Sequence, residues 1–341
     1  MSWIEPLDNN SNEAWTPNST GHEDSSIDEF DYDSSFPNLG EDRPDKVFFA
    51  SSSSDSTYEH VKDNLEASDI DVEHLSPEDI ERDGEDFLLN GENISDLDAK
   101  VYLRPKRWTD VGDDWSDIQQ MIELNNESSI EFYGDPQVAV LAEDKKATKD
   151  VFESVGVGTV DDFSYEDALE KIKEGDELVV KPRFNSSLGN GIESVETEEE
   201  IINYREDILE GDYLVEEKID HGADSENSDM RMVITGEESF RAERTGGDGV
   251  ASNLCNGGEY QDPDEMSFQE EILRYTASEI LGDGFYSIDY IKEDDGSVNV
   301  MEINSTSGTK INDQIEDNLY NSISNGIIGD NNPPRTSETV V

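Results

Sequence analysis

The sequence predicts a folded chain of mixed α and β structure, and three observations carry that expectation. From Lys46 onward, short apolar runs rich in β-branched and aromatic residues recur between turn residues. Segments with helical apolar periodicity, such as 115–124 and 266–281, lie among them. Near the C-terminus two strand-like runs, Tyr286–Ile291 and Val298–Asn304, flank a polar turn as a hairpin does. Over residues 46–133 strands alternate with helices, the signature of a small α/β domain.

With 341 residues the chain is long enough for two or three domains with real cores. It carries 85 acidic and 24 basic residues, a formal net charge of −61, and only 33% hydrophobic residues. Wholesale disorder and a folded protein with an acid-saturated surface both produce such a composition. The periodic segments select the second from Lys46 onward. Acidity this extreme with so little lysine is the pattern of adaptation to molar salt, where screening removes most self-repulsion. A negative surface argues against general nucleic-acid or anionic-membrane binding. The single cysteine, Cys255, excludes an intrachain disulfide and a thiolate zinc site. Met1–Glu5 lacks the basic and apolar regions of a signal peptide, and no apolar run approaches a membrane span. The expectation is a soluble, cytoplasmic protein of a high-salt cytosol.

Residues 1–44 are acidic and aperiodic, with scattered Trp3, Trp15, Phe30, Tyr32 and Phe36. Disorder is expected there, the aromatics being candidate anchors for a partner. Lys46–Ala50, Asp71–Leu75, Ala99–Leu103 and Ile130–Tyr133 read as strands, and 56–67 and 115–124 as helices. The second helix places Trp115, Ile118, Met121 and Ile122 on one face. Arg104, Lys106 and Arg107 form a basic cluster, either a surface loop or a contact for a substrate carboxylate. A helix over 143–154 carries Lys145, Lys146 and Lys149, unusual in a chain so poor in lysine.

The strand Leu178–Pro182 delivers Lys181, then Arg183, into a Gly/Ser loop at 186–191. Small residues let backbone amides approach phosphate oxygens, and lysine adds a point charge. Residues 199–209 read as one amphipathic helix and 212–219 as a strand. In Asp229–Ile234, Met230, Met232 and Ile234 lie opposite Arg231, and 239–244 returns beside it. The helix 266–281 is expected to bury Phe268, Ile272, Tyr275 and Ile280, a last helix covers 311–323, and 329–341 is a loose tail.

The hairpin is where chemistry concentrates. A two-residue type I′ turn at Asp295-Gly296 would set Asp289 directly opposite Glu302, with Asn304 on the same face. Facing carboxylates repel unless a cation lies between them. Oxygen ligands suit a hard ion such as Mg²⁺, which combines one or two carboxylates with substrate phosphates. In a chain one quarter acidic, chance acid pairs on strands are the competing explanation.

In this order the motifs resemble the ATP-grasp superfamily, in the branch of glutathione synthetase and the RimK-type ligases that add glutamate to protein or peptide ends. Asp144-Lys145 with Thr148 is similar to the family's Asp-Lys-x-x-Thr segment, and Val180-Lys181-Pro182 to the strand carrying its second ATP lysine. Ser187-x-Gly189-x-Gly191 resembles the mobile phosphate loop, and Leu214-Val215-Glu216-Glu217 the adenine hinge, normally Val-Gln-Glu. Asp229-x-Arg231, Ser252-Asn253-Leu254 with Gly257-Gly258, and Asp289…Glu302-x-Asn304 resemble the remaining segments, the last being a magnesium triad.

The resemblance implies an α+β ATP-grasp fold, two subdomains (139–212 and 213–328) clasping ATP after a pre-ATP-grasp α/β domain (45–138). It implies ATP with one or two Mg²⁺, Mn²⁺ being an alternative ion. Lys145, Lys181, Ser187, Gly189, Gly191, Glu216, Glu217, Ile219 and Asp229 would bind the nucleotide. Arg231, Arg244 and Asn253 would act on the reacting groups. Asp289, Glu302 and Asn304 would hold the metal. The implied reaction sends the γ-phosphate to a carboxylate and lets an amine displace it, on an amino acid, a peptide or a protein C-terminus. Two departures bear on that reaction. Ala251 stands where the family has an arginine, and Asn185-Ser186 replaces the first loop glycine in a loop one residue longer. A degenerate protein that binds nucleotide or a partner without turnover is therefore the alternative.

Overall fold

Four sheets organise the residues described by the computed structural model: 43–51, 56–104, 116–184, 191–219, 228–236, 238–245, 259–261, 266–305 and 313–329. The chain begins with β1 (Lys46–Ser51), α1 (Ser56–Ala67) and β2 (Asp71–His74). A small antiparallel meander follows, β3 (Ile80–Asp83), β4 (Asp86–Leu89) and β5 (Glu92–Asn93), which the sequence did not signal. Then come β6 (Ala99–Arg104), α2 (Ser116–Glu127) and β7 (Glu131–Tyr133). The sheet β2-β1-β6-β7 is parallel throughout, as alternating strands and helices require.

Two capped helices lead into the second sheet. Asp135 accepts from the Gln137 amide (2.7 Å) to start α3 (Pro136–Glu143), with Pro136 in the first turn. Asp144 accepts from the Lys146 and Ala147 amides to start α4 (Lys145–Ser154). The helix expected over 143–154 is therefore α4, capped by Asp144, while α3 before it was not expected from sequence. Next are α5 (Tyr165–Glu174), β8 (Leu178–Pro182), β9 (Glu193–Val195), α6 (Glu198–Ile202), α7 (Arg205–Glu210) and β10 (Tyr213–Glu217). The single helix expected over 199–209 is broken at Asn203-Tyr204. Strands β10-β8-β9 form an antiparallel sheet whose apolar face meets α5 through Tyr165, Ala168 and Ile172.

The last part is β11 (Ser228–Thr235), β12 (Glu238–Thr245), β13 (Glu259–Gln261), α8 (Phe268–Leu281), β14 (Phe285–Lys292), β15 (Val298–Asn304) and α9 (Asp313–Ile328). Its antiparallel sheet has the order β13-β12-β11-β14-β15. Met230, Met232, Ile234, Tyr286, Ile288 and Tyr290 line one face, buried against α3, α4 and α8. On the opposite face Val233, Ala242 and Phe285 join a core with β1, α1 and α9. The rest of that face carries Asp229, Arg231, Arg244, Asp289 and Glu302, as the strand register places them.

Helix α8 turns a different face inward from the one expected, and of the expected stripe only Ile280 packs, partly buried, against the core. Leu273, Ala277 and Leu281 are buried, while Phe268 and Tyr275 are 76% and 64% exposed and Ile272 is exposed as well. Both stripes fit a 3.6-residue period, and the choice falls to Glu270, which shares the inward stripe. The fully buried Glu270 carboxylate accepts from the Ser267 amide (2.8 Å), the Tyr290 hydroxyl (2.6 Å) and Arg241 (2.8 Å), and lies 3.0 Å from Lys292 Nζ. Burial alone would push this carboxyl up, but the Ser267, Tyr290, Arg241 and Lys292 hydrogen bonds hold it at about 2. Its contribution is complete above the ordinary value of 4.5 and is lost as pH falls through about 2. Glu270→Gln should therefore lose about 3 kcal/mol at neutral pH. Its denaturant midpoint should also vary less than the parent's between pH 4.5 and 2. Equal midpoints for the two proteins at pH 7 would contradict this role.

Candidate functional site

Lysines dominate the floor of the site. Lys145, Thr148 and Lys149 fall on the buried face of α4, so i, i+3 and i+4 point the same way. Lys149 is wholly buried; its ammonium lies 3.1 Å from Glu216 Oε1 and 3.4 Å from Asp162 Oδ1. The other Glu216 oxygen receives Lys181 Nζ at 2.6 Å. Lys181 leaves the end of β8 directly across from Leu214 on β10. A buried carboxylate thus already neutralises Lys181 in the ligand-free protein. Asp144, which caps α4, also takes Arg183 through two hydrogen bonds of 2.7 and 2.6 Å. Burial works against the charged Asp144, but Arg183 and the Ala147 and Lys146 amides hold its carboxyl below the ordinary value.

Lys145 is different. It is 5% exposed, and its ion pair with Glu302 spans 3.8 Å, longer than a hydrogen bond. Burial pushes its ammonium below the ordinary 10.5, more than Glu302 restores, and the neighbouring Lys181 adds to the depression.

The second cluster lies on the five-stranded sheet. Arg231 on β11 stands across from Asp289 on β14 and grips it with two parallel bonds of 2.7 Å. Arg244 on β12 reaches the same carboxylate at 3.0 Å and also donates to Asp229 (2.9 Å), its own cross-strand neighbour. Burial opposes the ionised Asp289, yet the two guanidinium groups hold its carboxyl far below the ordinary range.

Asp289 does face Glu302, but by another route than the one expected. The turn is not a two-residue type I′. Gly296 N–H bonds to the Glu293 carbonyl (2.9 Å) with Gly296 at φ +83°, and Glu293 N–H bonds to the Ser297 carbonyl. This is a type I turn closed by a left-handed glycine. It shifts the pairing by one residue, so Lys292 faces Val298 and Tyr290 faces Val300. A bulge between Asp289 and Tyr290 absorbs Met301 and restores the expected register from Asp289 inward. Two guanidinium groups already offset part of the charge of this pair at Asp289.

A metal ion fits here only with help from a ligand. Among the described residues no three His, Cys, Asp or Glu side chains converge as a metal cage. Asp289 Oδ2 already accepts two hydrogen bonds and Oδ1 accepts one, leaving room for one further contact. Glu302 is about a quarter exposed, with Asn304 Nδ2 at 3.4 Å and Lys145 beyond hydrogen-bond range. Glu302, Asn304 and the remaining Oδ1 position suit Mg²⁺ carried in on phosphates, not a dedicated protein cage.

Of the other residues singled out by sequence, Gly191 lies at φ +76°, where an added Cβ would stand 2.9 Å from Pro182 Cγ, so glycine is required. Exposed Glu217 and half-buried Ile219 border a cavity of about 420 Å³, with Thr159, Asp161, Glu293 and Asn299. Ser187, Gly189 and Asn253 lie outside the described residues, as do Ala251, Cys255, the segments 1–42 and 330–341, and Lys106 and Arg107 of the basic cluster. Lys149, Asp162 and Arg183 belong to the site yet were not assigned to it from sequence. For Lys149 the signal was present, since it stands four residues from Lys145 on a helix.

No protein-family model matches the sequence, and no curated protein matches it either. Solved structures do. A RiPP-associated ATP-grasp ligase of Chryseobacterium gregarium, in complex with ADP and a leader and core peptide, superposes with a TM-score of 0.61 at 13% identity, over 84% of this chain and 97% of that one. The ATP-grasp ligase PsnB, with a variant minimal precursor, Mg and ADP, gives 0.57 at 11% identity over 84% and 98%. A RimK domain ATP-grasp protein of Sphaerobacter thermophilus gives 0.57 at 15% identity over 83% and 100%. The chain has the α+β ATP-grasp fold.

Proposed function

We propose that this protein is an ATP- and Mg²⁺-dependent carboxylate–amine ligase that forms ADP. In this reading it activates a carboxylate as an acyl phosphate and joins it to an amine, on an amino acid, a peptide or a protein tail. Lys145 carries the proposal. A buried ammonium without a carboxylate in hydrogen-bond range is an unfavourable arrangement in isolation. It becomes favourable when a phosphate enters beside it. Peptide substrates are favoured among the carboxylates because structural neighbours are complexed with precursor peptides.

In this mechanism Lys145 and Lys181 hold phosphate oxygens, and Arg231 and Arg244 orient the carboxylate and balance the charge that develops on transfer. Glu302, Asn304 and the remaining lone pair of Asp289 would hold Mg²⁺, whose charge would offset that of the nucleotide phosphates. Gly191, Glu217 and Ile219 border the nucleotide.

A second reading, nucleotide binding without turnover, is favoured by one observation. Both arginines are committed to Asp289 and Asp229. The deciding experiment measures ADP binding and ADP release side by side, with amino acids and short peptides as substrates, in molar KCl. Binding with release supports the ligase, and binding without release across the panel supports the second reading. Protein that melts with its ligand-free midpoint at saturating Mg-ADP overturns both. The salt matters because we also read the net charge of −61 as adaptation to molar salt. The melting temperature should rise steeply from low to molar KCl, and a flat profile would sink that reading.

A further inference from the structure

One carboxylate in this site serves two ammonium groups. Glu216 gives Oε1 to Lys149 and Oε2 to Lys181, and all three side chains are buried. Lys149 has no exposed surface, so no ligand touches it. Lys181, one residue from the end of its strand, keeps 6% of its surface exposed, so of the two lysines it is the one open to a phosphate. The surroundings of Glu216 are tied together by backbone and charge contacts. Asp162 pairs with it through the backbone, and the Asp162 carboxylate also takes Lys146 (3.3 Å) and Lys149 (3.4 Å).

A carboxylate shared between two cations holds each more weakly than it would hold one. Phosphate must compete with Glu216 for Lys181, so the strength of that hold sets part of the phosphate affinity. We propose that Lys149 is a positioning residue: by occupying one oxygen of Glu216 it weakens the hold of the other on Lys181, and so raises the affinity of the site for nucleotide phosphates. This rests on the nucleotide-binding reading above. The stretch Val215-Glu216-Glu217 resembles an adenine hinge, but the inference gives Glu216 a task at the opposite end of the nucleotide.

The two neighbouring variants should move affinity in opposite directions. In Lys149→Met, Glu216 belongs to Lys181 alone, and ADP should bind about tenfold more weakly, the scale of one charged hydrogen bond. In Glu216→Gln, Lys181 is released, and ADP should bind about tenfold more tightly by the same scale. Adenosine, which has no phosphate, should keep its affinity in both. Calorimetric titration of the full chain with adenosine and ADP, with Mg²⁺ in molar KCl, reads all of this. Loss of adenosine and ADP binding in parallel would overturn the inference, because it marks a base contact or general damage. Unchanged ADP affinity in Lys149→Met overturns it too. Should Glu216→Gln fail to fold, Lys149→Met decides alone, because it retains the Glu216–Lys181 pair and buries an apolar chain of similar length. A parent that binds neither ligand defeats the nucleotide reading itself, an outcome distinct from either of these.

Discussion

Asp289→Asn should lower the unfolding free energy by about 3–5 kcal/mol, the expected loss when one partner is removed from a buried ion pair. The substitution keeps the shape and removes only the charge. Asp289 is 3% exposed and accepts three charged hydrogen bonds from Arg231 and Arg244. Neither arginine can relieve the loss by giving up a proton. Arg244 retains its hydrogen bond to Asp229. Glu302→Gln on the facing strand is the matched control. Its carboxylate is partly exposed and 3.8 Å from its lysine, too far for a hydrogen bond, so the change should cost only about 1 kcal/mol, clearly less than Asp289→Asn. Urea midpoints at fixed molar salt measure both. An Asp289→Asn loss below about 1 kcal/mol would show that the cluster does not depend on this charge for stability. Impaired nucleotide binding could then be assigned to a ligand contact rather than to a weakened sheet.

The contrast between those two acids marks what sequence alone conveys. Strand β11 was legible because Met230, Met232 and Ile234 recur at every second position opposite Asp229 and Arg231, and the structure buries that face. The Asp289–Glu302 pairing was reached through a turn one residue different from the real one, with the bulge at Met301 cancelling the difference. The correct pair therefore did not establish the correct turn. On α8 periodicity offered two inward faces, and the winner was set by Arg241, Tyr290 and Lys292, which reach Glu270 from other strands.

Charge partnerships were the least legible. Glu216 and Lys149 are 67 positions apart, and Arg231 and Asp289 are 58. Spacing marks residue types that bind phosphate or metal. It does not show that a carboxylate elsewhere already occupies the lysine or arginine. In a chain this acidic, each buried cation has many candidate acids, and only the fold selects one.

Lys145→Met should abolish ADP release while leaving the ligand-free protein as stable as the parent, or about 1 kcal/mol more stable, because a poorly compensated buried charge is replaced by an apolar chain of similar length. The affinity for Mg-ADP should fall by about 10- to 100-fold, the range of a charged hydrogen bond to phosphate. A pH series supplies an independent check. Burial holds the folded-state pKa of Lys145 below 10.5. Between that depressed value and 10.5 the unfolded chain binds more protons than the folded one, so this group makes the parent more stable as pH rises through the window. Lys145→Met should lack that rise, and the difference between the two proteins should shrink toward the alkaline end. Were Lys145 an ordinary structural ion pair, the forecasts would reverse. The variant would be less stable at neutral pH, and its loss of ADP binding would follow the loss of folded protein. Stability and ADP affinity measured on the same samples separate the two cases, and a destabilised Lys145→Met that still binds ADP like the parent would remove the observation on which the ligase reading rests.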